Sequence, residues 1–360
     1  MKIPALITSS VLSLSLLLTG CSSKEAGKTN ENEEKDKLTV FTTIYPLEDF
    51  TAKIGGSYVE VKSIYPPNVD AHTFEPSTSD MVTLANSDLF IYTGVGIEGF
   101  AEKVTESLKQ ENVEVLKAAQ GIKLIDSVLS GERSHESEES HADEENHEEE
   151  STHSEEQSHE ENIHSDEQSL EGETTEPSHE EEHAHGDVDP HVWLDPVLSI
   201  DLAKNIKNSL SELMPEHASE FESNFNELKS ELKKLDQEFT KTIEGSKTKY
   251  LLVSHAAYGY WEKRYGIKEV PIAGLSPTEE PSQKELQKII TESTEHGIRY
   301  VIFEQNVSPK IAKIIQQEIG ADSLTLHNLE ALTEEDIKQK EDYFSIMRKN
   351  LATIKTALND

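Results

Sequence analysis

Residues 132–189 cannot fold by themselves, and this constrains the rest of the chain. The run carries 24 acids against the single base Arg133, a balance of −23, and so leaves −14 of the chain's total of −37 for all other residues. Low hydropathy and dense like charge give it too little apolar surface to offset the entropy of ordering, so a disordered loop is expected. The run is also rich in histidine. His135, His141, His147, His153, His159, His164, His179, His183 and His185 are interleaved with Glu, Asp and Ser. Imidazole and carboxylate are both good ligands for divalent cations, so this composition attracts metal. The run ends directly at Asp189-Pro190-His191-Val192-Trp193, where a better-built site is expected nearby.

This charge balance repels phosphate and argues against a nucleic acid partner. It also repels an anionic membrane surface, so membrane contact must be covalent or protein-mediated. The first twenty residues supply a covalent route. Lys2 is a minimal charged start, and residues 3–18 are apolar but short for a membrane span. The segment ends in Leu18-Thr19-Gly20-Cys21, which resembles the lipobox of bacterial lipoproteins, whose cysteine is lipidated and becomes the mature N-terminus. The bland alternative is a plain secretory signal with an incidental cysteine. Cys21 is the only cysteine, which excludes an intramolecular disulfide or a thiolate zinc cluster. Residues 1–20 are thus expected to be a signal peptide and 21–37 a flexible tether.

Beyond the tether, short β-rich runs alternate with helical patterns. Strands are expected at 38–42, 58–65, 88–92 and 113–116, with helices at 46–54, 79–85 and 98–109. After the acidic run, residues 196–213 read as a helix. Phe221, Phe225, Leu228, Leu232, Leu235, Phe239 and Ile243 then recur every three or four residues. That spacing puts them on one face of a helix over 216–244, about 43 Å long at 1.5 Å per residue. Alternation resumes with strands at 249–253, 269–272, 299–303 and 323–326 and helices at 256–265, 282–296 and 309–319. One last helix is expected over 334–358, its apolar stripe at Ile337, Phe344, Met347, Leu351, Ile354 and Leu358. The βαβα order predicts an α/β fold of two lobes with mainly parallel sheets, joined by a long rigid helix, with a ligand cleft between the lobes at the strand ends. The expected boundaries are 38–215 for the first lobe, including the loop at 131–188, then 216–245 for the linking helix and 246–360 for the second lobe.

Three histidines share a setting. His72 follows the second strand in Asp70-Ala71-His72-Thr73-Phe74-Glu75-Pro76, His191 lies beside Pro190, and His255 follows the apolar strand in Ser254-His255-Ala256-Ala257-Tyr258. Glu330 follows the last strand in the same way. Three imidazoles and one carboxylate could enclose a tetrahedral zinc ion. Taken alone, each histidine is more simply a surface or hydrogen-bonded residue; their common placement at strand exits and rigid turns favours a metal site. Glu304, at another strand exit, is the rival carboxylate, and water could also complete the set. His217 is expected to be solvated, His296 to complement a helix C-terminus, and His327 to sit behind Glu330 or be exposed.

These motifs, with Leu329-Glu330 and the histidine-rich insert, make the chain resemble the zinc-binding solute receptors of ABC uptake transporters, the ZnuA/AdcA-like group. The resemblance covers essentially everything from Leu38 onward. It implies a metal held between two α/β lobes by His72, His191, His255 and a carboxylate. Manganese-type relatives carry carboxylates at two of those positions, and His255 replaces one of them with nitrogen. Two residues depart from the family pattern: Ala71 and Asn328 stand where proline is common.

The expected function is therefore capture of Zn2+ and its delivery to an ABC permease, without catalysis. The expected protein is a monomer, lipid-anchored at Cys21 on the extracytoplasmic face of a bacterial cell membrane. The alternatives are a secreted zinc hydrolase with an open metal position, or a manganese receptor or adhesin. Against the hydrolase, the chain has no Gly-x-Ser-x-Gly, and its His-Glu-x-x-His match, at residues 179–183, lies in the acidic run rather than on a helical pattern. For the histidine-rich loop two readings stay open: a solvated spacer, or a weak multi-site collector that raises local zinc concentration.

Overall fold

The computed structural model describes residues 37–126, 188–305 and 310–360. The signal segment, Cys21, most of the tether and the nine-histidine run fall outside these residues. Two four-stranded, all-parallel sheets form the frame. The first contains β1 (Leu38–Thr42), β2 (Val59–Ser63), β3 (Leu89–Tyr92) and β4 (Glu114–Lys117) in the order β2-β1-β3-β4. The second contains β5 (Tyr250–His255), β6 (Lys268–Ala273), β7 (Tyr300–Glu304) and β8 (Asp322–Leu326) in the order β6-β5-β7-β8. The two sheets repeat one topology. Strand β1 pairs Leu38 with Val59 on one side and Val40 with Leu89 on the other. Strand β5 likewise pairs Leu252 with Val270 and with Val301. Each sheet therefore reverses its winding at its first strand, and clefts form beyond the strand C-termini at such points.

Helices α1 (Tyr45–Gly55), α2 (Thr78–Leu84) and α3 (Ala101–Leu108) belong to the first half. Next come α4 (Pro196–Leu213) and the 27-residue α5 (Ala218–Glu244). All seven apolar residues of the periodic stripe on α5 are buried. This helix begins two residues later than its pattern suggested. Pro215 disfavours helical backbone at Met214, and Pro215–His217 form a separate tight turn first. His217 is not fully solvated either: its ring stacks on Tyr58 with centroids 3.7 Å apart.

The second half carries α6 (Gly259–Tyr265), α7 (Gln283–Glu295), α8 (Lys310–Ile319), α9 (Glu334–Gln339) and α10 (Tyr343–Asn359). The expected helix over 334–358 is two helices. Lys340 takes left-handed backbone at φ 56°, and Asp342 then caps a new helix by accepting from Ser345 N. Helix α6 starts at Gly259, three residues later than expected, because the preceding amides are engaged elsewhere. Ala256 N donates to Gly274 O, while Ala257 N and Tyr258 N donate to Glu269 Oε1.

One hydrophobic core runs through the first sheet, helices α1, α4, α5 and α10, and the inner residues Leu251, Val253 and Ile302 of the second sheet. A smaller cluster around Leu252, Ile272, Val301 and Ile315 packs the other face of the second sheet. Among the described residues no helix is long and apolar enough to cross a membrane.

Candidate metal centre

His72, His191, His255 and Glu330 come together. Each offers a donor atom, and these atoms lie within 4.8 Å of one another. His191 Nε2 is 3.4 Å from His255 Nε2, and Glu330 Oε1 is 3.4 Å from His72 Nε2 and 4.0 Å from His191 Nε2. His191, His255 and Glu330 are buried, while His72 is partly exposed. No other cluster of metal-ligating side chains occurs among the described residues.

Two kinds of local structure present these groups. His255 is the last residue of β5, so the strand itself aims it. The other three sit in turns closed by an Asx side chain two residues upstream. Asp70 Oδ1 accepts from His72 N at 2.9 Å, Asp189 Oδ1 from His191 N at 2.9 Å, and Asn328 Oδ1 from Glu330 N at 3.1 Å. An Asp or Asn side chain imitates a main-chain turn in this way and fixes the residue that follows. The pattern was visible in the sequence as Asp-x-His, Asp-x-His and Asn-x-Glu, but sequence reasoning assigned it no role.

Carboxylates behind the histidines set their tautomers. His191 Nδ1 lies 2.9 Å from Asp189 Oδ1, and His255 Nδ1 lies 2.6 Å from Glu304 Oε2. A carboxylate at Nδ1 keeps a proton there and turns the Nε2 lone pair toward the centre. Glu304, the rival carboxylate, thus stands behind His255 rather than among the four. Its other oxygen accepts from Ser254 Oγ at 2.6 Å.

The loop carrying His191 is held from the second half of the chain. Tyr260 Oη donates to Asp189 O, Trp261 Nε1 to Leu194 O, and Tyr343 Oη to Trp193 O. Trp193 Nε1 donates to Asn328 O at 2.8 Å, tying the His191 loop to the Glu330 loop. His327, expected behind Glu330 or exposed, is buried; its Nδ1 accepts from Leu329 N and its Nε2 lies 3.2 Å from Asp336. His296 ends α7 as expected and stacks on Tyr250.

Burial and mutual charge tune His191, His255 and Glu330. His191 is pushed well below its ordinary pKa by burial and by the neighbouring His255 and His72. Burial also pulls His255 down, but Glu304, with Glu330 and Glu269 beyond it, overrides this and holds it up at about 9. Burial would raise Glu330, yet His72 and the two other imidazoles hold it down at about 2. Among the buried side-chain atoms without a hydrogen-bond partner, His72 Nε2 and Glu330 Oε1 face the centre. Unpaired buried polar atoms are costly, and a shared cation would satisfy both at once.

The sequence matches the family described as ZnuA, zinc-uptake complex component A, periplasmic, over residues 40–357. The zinc-binding protein AdcA of Streptococcus pyogenes serotype M3 is 34% identical over 319 residues, covering 89% of this chain and 56% of AdcA. The chain therefore spans little more than half the length of the AdcA proteins it matches. The high-affinity zinc uptake system protein ZnuA of Bacillus subtilis is 31% identical over 348 residues, covering 97% of this chain and 96% of that protein. Among solved structures, the Zn(II)-bound ZnuA-like domain of Streptococcus pneumoniae AdcA aligns with a TM-score of 0.65 and 28% identity, covering 90% of this chain and all of that one.

Proposed function

The chain belongs to the ZnuA family of zinc-uptake components, and on that footing we propose that it is an extracytoplasmic receptor that captures Zn2+ and delivers it to an ABC permease. His72, His191, His255 and Glu330 are the proposed ligands, and zinc is the cargo rather than a resident cofactor. The observation that carries this reading is the buried convergence of three imidazoles and one carboxylate, with two of their donor atoms otherwise unpartnered. Three nitrogens and one oxygen suit zinc; manganese prefers more oxygen ligands. Of the four, only His72 is partly exposed, so the ion enters from its side. Membership of an uptake family sets aside the hydrolase reading. Lipid attachment at Cys21 and a monomeric state complete the proposal; Cys21 lies outside the described residues.

Zinc titration against a competing chelator tests it. The wild-type chain should bind one ion far more tightly than any other, and His255→Ala should abolish that tight class. A tight class unchanged by His255→Ala would overturn the ligand assignment. An uptake assay in cells lacking the receptor then tests delivery: the wild-type chain should restore zinc accumulation and His255→Ala should not.

A further inference from the structure

We propose that the main-chain N–H of Ala71 is a specificity-determining group: it holds Oε2 of Glu330 and leaves Oε1 as the only carboxylate oxygen offered to the ion. The inference rests on the reading of this centre as the zinc site.

Every polar atom of Glu330 but one is committed. Its N–H donates to Asn328 Oδ1 at 3.1 Å, and its carbonyl accepts from Tyr45 N at 3.0 Å. Its Oε2 accepts from Ala71 N at 3.2 Å. Only Oε1 is unpartnered, and it is the oxygen that faces His72 Nε2 and His191 Nε2. The residues involved are buried: Ala71 is 0% exposed, Glu330 2% and Asn328 4%. Turning the carboxylate so that both oxygens reached the centre would strip the Ala71 N–H of its acceptor where water cannot replace it. A clamped Oε2 keeps the carboxylate monodentate, so the protein supplies three nitrogens and one oxygen and closes at four. A released Oε2 would add a fifth contact, which favours oxygen-preferring ions such as manganese. The clamp also crosses the molecule, because Ala71 and Tyr45 come from the first half and Glu330 from the second.

Proline alone among the residues removes this donor, and since proline is common at this position in the family, the clamp is this chain's own device rather than one its relatives share. The test compares the full-length wild type with Ala71→Pro and with Ala71→Ser, which keeps the N–H. Each is loaded with one equivalent of Co2+, and the spectrum of a His191→Ala, His255→Ala double variant is subtracted as the contribution of the histidine-rich run. Wild type and Ala71→Ser should show the intense visible bands of four-coordinate cobalt, and Ala71→Pro the weaker bands of a higher coordination number. The preference for zinc over manganese, measured by competition, should fall about tenfold or more in Ala71→Pro alone, in line with loss of a hydrogen bond to a charged group. An Ala71→Pro protein that folds by circular dichroism but keeps the wild-type spectrum and preference overturns the proposal. If Ala71→Pro does not fold, X-ray absorption of the wild type with one equivalent of zinc decides. One oxygen neighbour in a shell of four supports the clamp; a carboxylate contributing two oxygens overturns it. A wild type with no tight zinc class would instead sink the receptor reading.

Discussion

At the scale of single residues, the centre depends on groups that do not themselves touch the proposed ion. Glu304 is one. It fixes His255 through Nδ1 and is in turn held by Ser254. Glu304→Gln should therefore weaken zinc binding about 10- to 100-fold, the usual cost of losing a carboxylate behind a ligating histidine. Isothermal titration with a competing chelator measures this. The protonation states predict a pH dependence of fixed sign. His255 is held up at about 9, so below that pH it carries a proton that zinc must displace. His191 is pushed well down and contributes no proton in the neutral range. Release of one proton makes capture about tenfold weaker for each pH unit lost. Titrations at about pH 7.5 and about pH 5, on either side of the ordinary imidazole value, should show the weaker binding at the acid end. Equal affinities would speak against a histidine-based site.

At the scale of elements, the strands and the long helix were legible because their signals are local. The seven-residue apolar stripe of α5 obeys helical spacing, and the structure buries all of it. The split between α9 and α10 was not legible, because the apolar stripe resumes in phase beyond it. Ile337, assigned to the stripe, is in fact 51% exposed, whereas Phe344 and Met347 are buried. The split depends on Asp342, which caps α10 and also meets Lys53 of α1 at 3.1 Å. Asp342→Ala should lower the unfolding free energy by about 1 kcal/mol, the typical value of a lost cap. Urea denaturation of the metal-free protein reads this directly. No change would mean that Lys340 and its left-handed backbone end the helix without help.

At the scale of the whole molecule, the described residues on either side of the acidic run meet. Asp126 pairs with Val188, and Asp189 N donates to Ile125 O, so the chain leaves and returns across a single bridge. Excision of residues 132–187 should therefore leave the four-residue centre intact. The tightest zinc class should survive with unchanged affinity, while the number of weaker ions bound per chain falls. Loss of the tight class would show that the run supplies ligands to it. If zinc uptake at low external zinc also slows in the excised form, the collector reading gains over the spacer.

The sequence by itself determined the alternation of strands and helices, the long connecting helix and the identity of the three histidines, since each rests on local spacing or a short motif. Only the tertiary structure brings Glu330, rather than Glu304, in among the three histidines. Both stand at strand exits, and nothing local says which carboxylate turns inward and which stands behind an imidazole. That choice is made by partners distant along the chain: Ala71 and Tyr45 hold Glu330, while Ser254 and His255 hold Glu304. Contacts of that kind exist only once the two sheets share a core.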